Sequence, residues 1–89
     1  MKKNELEILE QYGFKASGLV YIKELVSHAN SEATAKISIT PWDDEWTMTI
    51  EFYFGGRYSG QSHYIYKSLK LCINRLAKDC DFFGFKKIA

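Results

Sequence analysis

Ala35-Lys36-Ile37-Ser38-Ile39-Thr40-Pro41-Trp42-Asp43-Asp44-Glu45-Trp46-Thr47-Met48-Thr49-Ile50-Glu51-Phe52 alternates apolar and polar residues on both sides of an acidic break. That is the pattern of two strands with one buried face. Taking Trp42 to Glu45 as a four-residue hairpin loop sets Pro41 opposite Trp46. Ile39 then meets Met48, Ile37 meets Ile50 and Ala35 meets Phe52 on one face. The other face pairs Thr40 with Thr47, Ser38 with Thr49 and Lys36 with Glu51. Apolar meets apolar, hydroxyl meets hydroxyl and opposite charges meet, as cross-strand neighbours prefer. The even-numbered residues from Trp46 to Phe54 are therefore expected in the core, with Thr47, Thr49 and Glu51 more exposed.

Downstream, Gly55-Gly56-Arg57 marks the next turn. A two-residue loop alone would put Arg57, Ser59, Gln61 and His63 on the core face. A three-residue loop with a glycine bulge avoids this, and sets Tyr58, Gly60, Ser62, Tyr64 and Tyr66 opposite Phe54, Phe52, Ile50, Met48 and Trp46. Ser68 is placed to cap a helix running to about Asp79. Leu69, Cys72, Ile73, Leu76 and Cys80 form its apolar stripe, and this helix should cover the apolar sheet face.

Upstream, Asn4 to Tyr12 reads as a short helix with Asn4 as N-cap, Glu7 completing a capping box and Gly13 as C-cap. Leu6, Leu9 and Tyr12 share one face. Gly18 to His28 suits helix or strand, and its β-branched and aromatic start favours strand. The expected fold class is α+β: an antiparallel three- or four-stranded β-meander, a short N-terminal helix, and a C-terminal helix packed on one sheet face, all in one domain spanning 1–89.

At 89 residues the chain has room for one core, and 46% hydrophobic and 16% aromatic residues can fill it. The net charge of +1 gives no strong field toward nucleic acid or membrane. The charge is divided, however: residues 1–56 carry five Lys/Arg against nine Asp/Glu, and residues 57–89 carry seven against two. Cys72 and Cys80, eight apart on one helix, would lie about 12 Å apart, too far for a disulfide. They read as small core residues. The charged start of the chain is unlike a signal peptide, and no apolar run reaches membrane-span length. A cytoplasmic location and no membrane partner are expected.

Few motifs point to chemistry. Gly55 to Ser62 lacks the Gly-Lys-Ser/Thr ending of a phosphate-binding loop. His28 and His63 are isolated, so neither a metal site nor a cofactor is expected. No strained nucleophile turn or carboxylate pair marks an enzyme. The distinctive feature is Trp42-Asp43-Asp44-Glu45-Trp46, three carboxylates at a hairpin tip between two tryptophans. Together with Glu51 it could seat on an arginine-lined protein surface, the indole of Trp42 acting as anchor. Against it stand Arg57, Lys67, Lys70, Arg75 and Lys86, a candidate phosphate-binding set. Phe82, Phe83 and Phe85 must pack inward or meet a partner, a homodimer included.

Two resemblances bear on these sets. The order helix, antiparallel strands, C-terminal helix resembles the double-stranded-RNA-binding domain. Trp46 to Cys80 is the local match, and Ile50 to Gly60 stands where that family has strand, Gly-rich turn and strand. The resemblance implies a lysine cluster at the start of the last helix; here Tyr66-Lys67-Ser68-Leu69-Lys70 supplies two lysines. In size and character the chain is also similar to small phage-encoded inhibitors of host defence, anti-CRISPR proteins among them. Asp43, Asp44, Glu45 and Glu51 are the residues that carry this similarity. It implies a non-enzymatic inhibitor or adaptor that binds a host protein or protein–nucleic-acid complex, in the host cytoplasm. A nucleic-acid-binding module is the alternative.

Overall fold

The computed structural model describes residues 3–27 and 32–83, with side chains placed for 4–27 and 32–79. Helix α1 spans Lys3–Gln11, strands β1 to β5 span Lys15–Ser17, Val20–Val26, Ala33–Trp42, Glu45–Phe54 and Arg57–Tyr66, and helix α2 spans Leu69–Phe83. The strands form one antiparallel sheet in the order β1-β2-β3-β4-β5. The sheet has five strands, not three or four. The ambiguous segment from Gly18 supplies β2, and β2 folds back on β1 through the Gly18-Leu19 turn. Lys15, Ala16 and Ser17 are all exposed. Their pairing is a backbone matter and leaves no apolar signal in the sequence.

The β3–β4 register is the expected one in every pair from Ala35↔Phe52 to Pro41↔Trp46. The loop is shorter, because Trp42 also pairs with Glu45 and only Asp43 and Asp44 turn the chain. Asp43 takes φ 56, the positive value that tight hairpin turns require at their first central position. Pro41 is tolerated because β2 pairs with β3 only as far as Ile39, so no neighbour awaits its missing N–H.

Between β4 and β5 the loop is Gly55-Gly56 alone, both with positive φ, and Arg57 rather than Tyr58 stands opposite Phe54. The extra residue appears further along, at a bulge beside Phe52/Tyr53 where Ser59 is unpaired. Past it, Gly60, Ser62, Tyr64 and Tyr66 meet Phe52, Ile50, Met48 and Trp46 as expected.

One sheet face is covered. Ile37, Ile39, Trp46, Met48 and Ile50 form the core with Leu9 and Phe14 from the N-terminal side and Leu69, Cys72, Ile73 and Leu76 from α2. Phe52 is half-buried and Phe54 is exposed, against expectation, so cover thins toward the Gly55-Gly56 end. Thr47, Thr49 and Glu51 are half-buried on the open face.

Both helix ends are chemically specified. Ser68 Oγ accepts the N–H of Leu71 at 3.3 Å, the expected N-cap. α2 continues past Asp79 to Phe83. α1 begins at Lys3, so Asn4 lies within its first turn instead of capping it. At the other end the N–H of Phe14 reaches the carbonyl of Leu9, and the N–H of Gly13 that of Glu10. This is a Schellman motif with Gly13 at φ 84. Lys23 donates to the Tyr12 carbonyl at the same end. Leu6 is exposed, and Ile8, Leu9 and Tyr12 make the packed face of α1.

Candidate functional site

The acidic tip ends two ten-residue strands. Strand alternation puts Trp42 on the open face, with Thr40, Glu45 and Thr47. Trp42 is 73% exposed, whereas Trp46, paired with Pro41 and pointing to the opposite face of the sheet, is buried. Asp43, Asp44 and Glu45 are exposed, and no ion pair joins them to another described residue. They line a surface depression with Glu5, Pro41, Trp46 and Lys67, so one lysine stands among four carboxylates.

Two apolar residues join this end that sequence reasoning missed. The Gly18-Leu19 turn lies at the same end of the sheet, since β2 begins next to the last residues of β3. Leu19 at its tip is 80% exposed. Ile65, opposite Thr47 on the open face, is exposed as well. Leu19, Trp42 and Ile65 thus flank the carboxylates. The available signal was an apolar residue directly after a turn glycine, but it gains meaning only once β1 is known to exist.

Glu51 does not belong to the tip. It lies six residues along β4 from Glu45, about 20 Å at strand rise, and accepts the Tyr53 hydroxyl at 3.2 Å. Partial burial first, then Glu51, raises the pKa of the Tyr53 phenol above its usual value.

The basic candidates do not form one patch. Arg57 begins β5 and Lys67 follows its end, about 30 Å apart along the strand. Lys67 and Lys70 are exposed near the start of α2. Arg75 is engaged: its Nε lies 3.3 Å from Asp79 Oδ1 and its guanidinium sits 4.7 Å from the centre of the Tyr64 ring. Tyr64 and then Asp79 push its pKa further up. The Tyr64 hydroxyl donates to Asp79 Oδ2 at 2.9 Å, and its ring stacks on Tyr66. This cluster fastens α2 to β5. Lys86, Phe85 and His28, and the side chains of Cys80, Phe82 and Phe83, lie outside the described residues.

His63 is exposed on the open face, its Nδ1 2.9 Å from Thr49 Oγ1. Among the described residues no three His, Cys, Asp or Glu side chains converge as metal ligands, and no helix is long and apolar enough to cross a membrane. Cys72 is buried and unpaired by disulfide, and burial pushes its thiol up to about 11. Comparison of the chain with protein-family models, with curated proteins and with solved structures returns no match.

Proposed function

We propose that the chain is a non-enzymatic protein-binding module, an inhibitor or adaptor, that docks its acidic hairpin tip on a basic surface of a protein partner. The observation that carries this reading is Trp42: a large indole left 73% exposed on the closing pair of a two-residue turn, beside three exposed carboxylates. A tryptophan can bury about 150–250 Å² on a partner. At about 25 cal/mol per Å² that is on the order of 4–6 kcal/mol, before the costs of association. The carboxylates steer and orient, and reject acidic surfaces. Leu19 and Ile65 widen the apolar contact. The short turn and long paired strands hold the tip in place before binding, so little ordering entropy is lost.

The similarity to phage-encoded inhibitors fits within this reading. There the partner is a host complex whose arginine- and lysine-lined groove otherwise takes nucleic acid, with Asp43, Asp44 and Glu45 standing in for phosphates. The test is affinity capture from the native host with wild type, with Trp42→Ala, and with Asp43→Asn/Asp44→Asn/Glu45→Gln. Wild type should retain a protein partner that elutes as salt rises, and both variants should lose it. Capture that is indifferent to both variants would contradict the tip. A tight, salt-sensitive complex with duplex RNA, abolished by Lys67→Glu/Lys70→Glu, would replace this reading with nucleic-acid binding.

A further inference from the structure

β5 is ten residues long, with no strand beyond it among the described residues. An edge strand offers its outward N–H and C=O groups to an extended segment that fits beside it. At the start of β5, Arg57 and the bulge at Ser59 interrupt that row. From Gly60 to Tyr66 the pairing with β4 is regular, so the outward row is regular too, about 20 Å long at strand rise. Its surroundings are cationic. Arg57 stands before one end of the row and Lys67 just past the other. On the α2 side lies a surface depression lined by Tyr66, Leu71, Asn74, Arg75, Ala77 and Lys78, with no acidic side chain among them. The Asp79 carboxylate of the same helix is buried, and already holds Arg75 Nε and the Tyr64 hydroxyl. Arg75 itself stays 42% exposed. Two exposed apolar side chains flank the edge, Leu71 on the α2 side and Ile65 on the open face.

We propose that β5, from Gly60 to Tyr66, takes an acidic, extended segment of a partner protein as a sixth strand, the carboxylates of that segment meeting Arg75 and Lys78. Charge selects this occupant. A second copy of β5, centred on Ser62, would set Arg57 against Lys67 at both ends, so the cations that reject self-pairing admit an acidic strand. Spacing selects it too. The cations are strung along the edge rather than gathered in one place, which suits an extended chain and not a compact anion. The apolar flanks favour a peptide over a phosphate backbone, which would leave Leu71 and Ile65 uncovered. Side chains of an added strand alternate between the two sides of the sheet. Acidic residues of one parity reach Arg75 and Lys78, and an apolar residue at the Tyr66 end covers Leu71. Main-chain hydrogen bonds supply affinity and the side chains supply selectivity. The site is separate from the acidic tip and opposite to it in sign, so an adaptor could hold two partners at once.

Selection of a display library of random linear peptides on the full chain tests this. Enriched peptides should combine Asp or Glu with apolar residues at alternating positions. A synthetic copy of the most enriched peptide should bind more weakly as salt rises, and should slow hydrogen exchange among amides 60–66. Leu71→Gln/Lys78→Gln, at two exposed positions of α2, should remain folded by circular dichroism. It should weaken that peptide by at least about tenfold, through the loss of one apolar contact and one ion pair. The triple tip variant should bind the peptide as wild type does. A selection that enriches no peptide, or only peptides without acidic residues, overturns the proposal. So does an enriched peptide that leaves amides 60–66 unprotected, that binds Leu71→Gln/Lys78→Gln as tightly as wild type, or that is lost in the tip variant. A tighter, salt-sensitive complex with an RNA oligonucleotide, lost in the same double variant, also overturns it and assigns this flank to nucleic acid.

Discussion

Gly13 shows how a single residue sets the entry to this fold. At φ 84 it ends α1 and turns the chain into β1, and a Cβ there would also come within 3.4 Å of Lys23 Nζ. Gly13→Ala should destabilise the protein by roughly 1–2 kcal/mol, the cost of an L-residue in the left-handed region; chemical denaturation measures it. Cys72 gives a pH signature. Its thiol titrates near 11 in the folded chain against an ordinary 9.0. The folded state keeps this proton after the unfolded chain has lost it, so the contribution is complete below about pH 9 and falls as pH rises toward 11. Relative to Cys72→Ala, wild-type stability should drop by about 1.4 kcal/mol per pH unit in that window. Parallel pH profiles in urea unfolding would contradict the burial. Asp43 works in the opposite sense from Gly13: it holds φ 56 with a full side chain, at a position where glycine would be easier. The retained carboxylate is what the docking reading needs.

Individual elements differ in how far the sequence revealed them. The β3–β4 register was readable because three chemistries agreed at once, apolar on apolar, hydroxyl on hydroxyl and Lys36 on Glu51. The loop lengths were not, since a four-residue loop and a two-residue loop with one more pair give the same register. Likewise the alternation beyond Gly60 required one extra residue after Phe54 but could not distinguish the turn from Ser59 as its place. β1 was invisible because all three of its residues are exposed. In α2 the charges run against the helix dipole, with Lys70 in the first turn and Asp79 toward the end. Its stability must therefore come from the Ser68 cap, the apolar stripe and the Tyr64–Asp79–Arg75 cluster. Arg75 and Asp79 are spaced i,i+4, but Tyr64 as their partner needed the β5 register. Tyr64→Phe leaves the buried Asp79 carboxylate without its hydroxyl donor and should cost about 1–3 kcal/mol, seen as a lowered melting temperature.

Across the whole molecule, topology gathers dispersed sequence features at one end of the sheet. The turns at Leu19 and Asp43, and the end of β5 at Ile65, converge there. Arg57 and Phe54 are carried to the other end. The acidic tip could be read directly from three consecutive carboxylates, whereas its apolar flank could not, because Leu19 is 23 residues from Trp42 in sequence. The uneven charge along the chain becomes mixed rather than opposed in space, with Lys67 drawn in beside the tip. The most direct test pairs melting temperature with affinity for the captured partner, in wild type and in Asp43→Asn/Asp44→Asn/Glu45→Gln. These side chains contribute little to the core, so stability should stay within about 0.5 kcal/mol of wild type, while affinity falls steeply and its salt dependence flattens. A variant that melts like wild type and binds the partner equally well, with the same salt dependence, would contradict the docking tip.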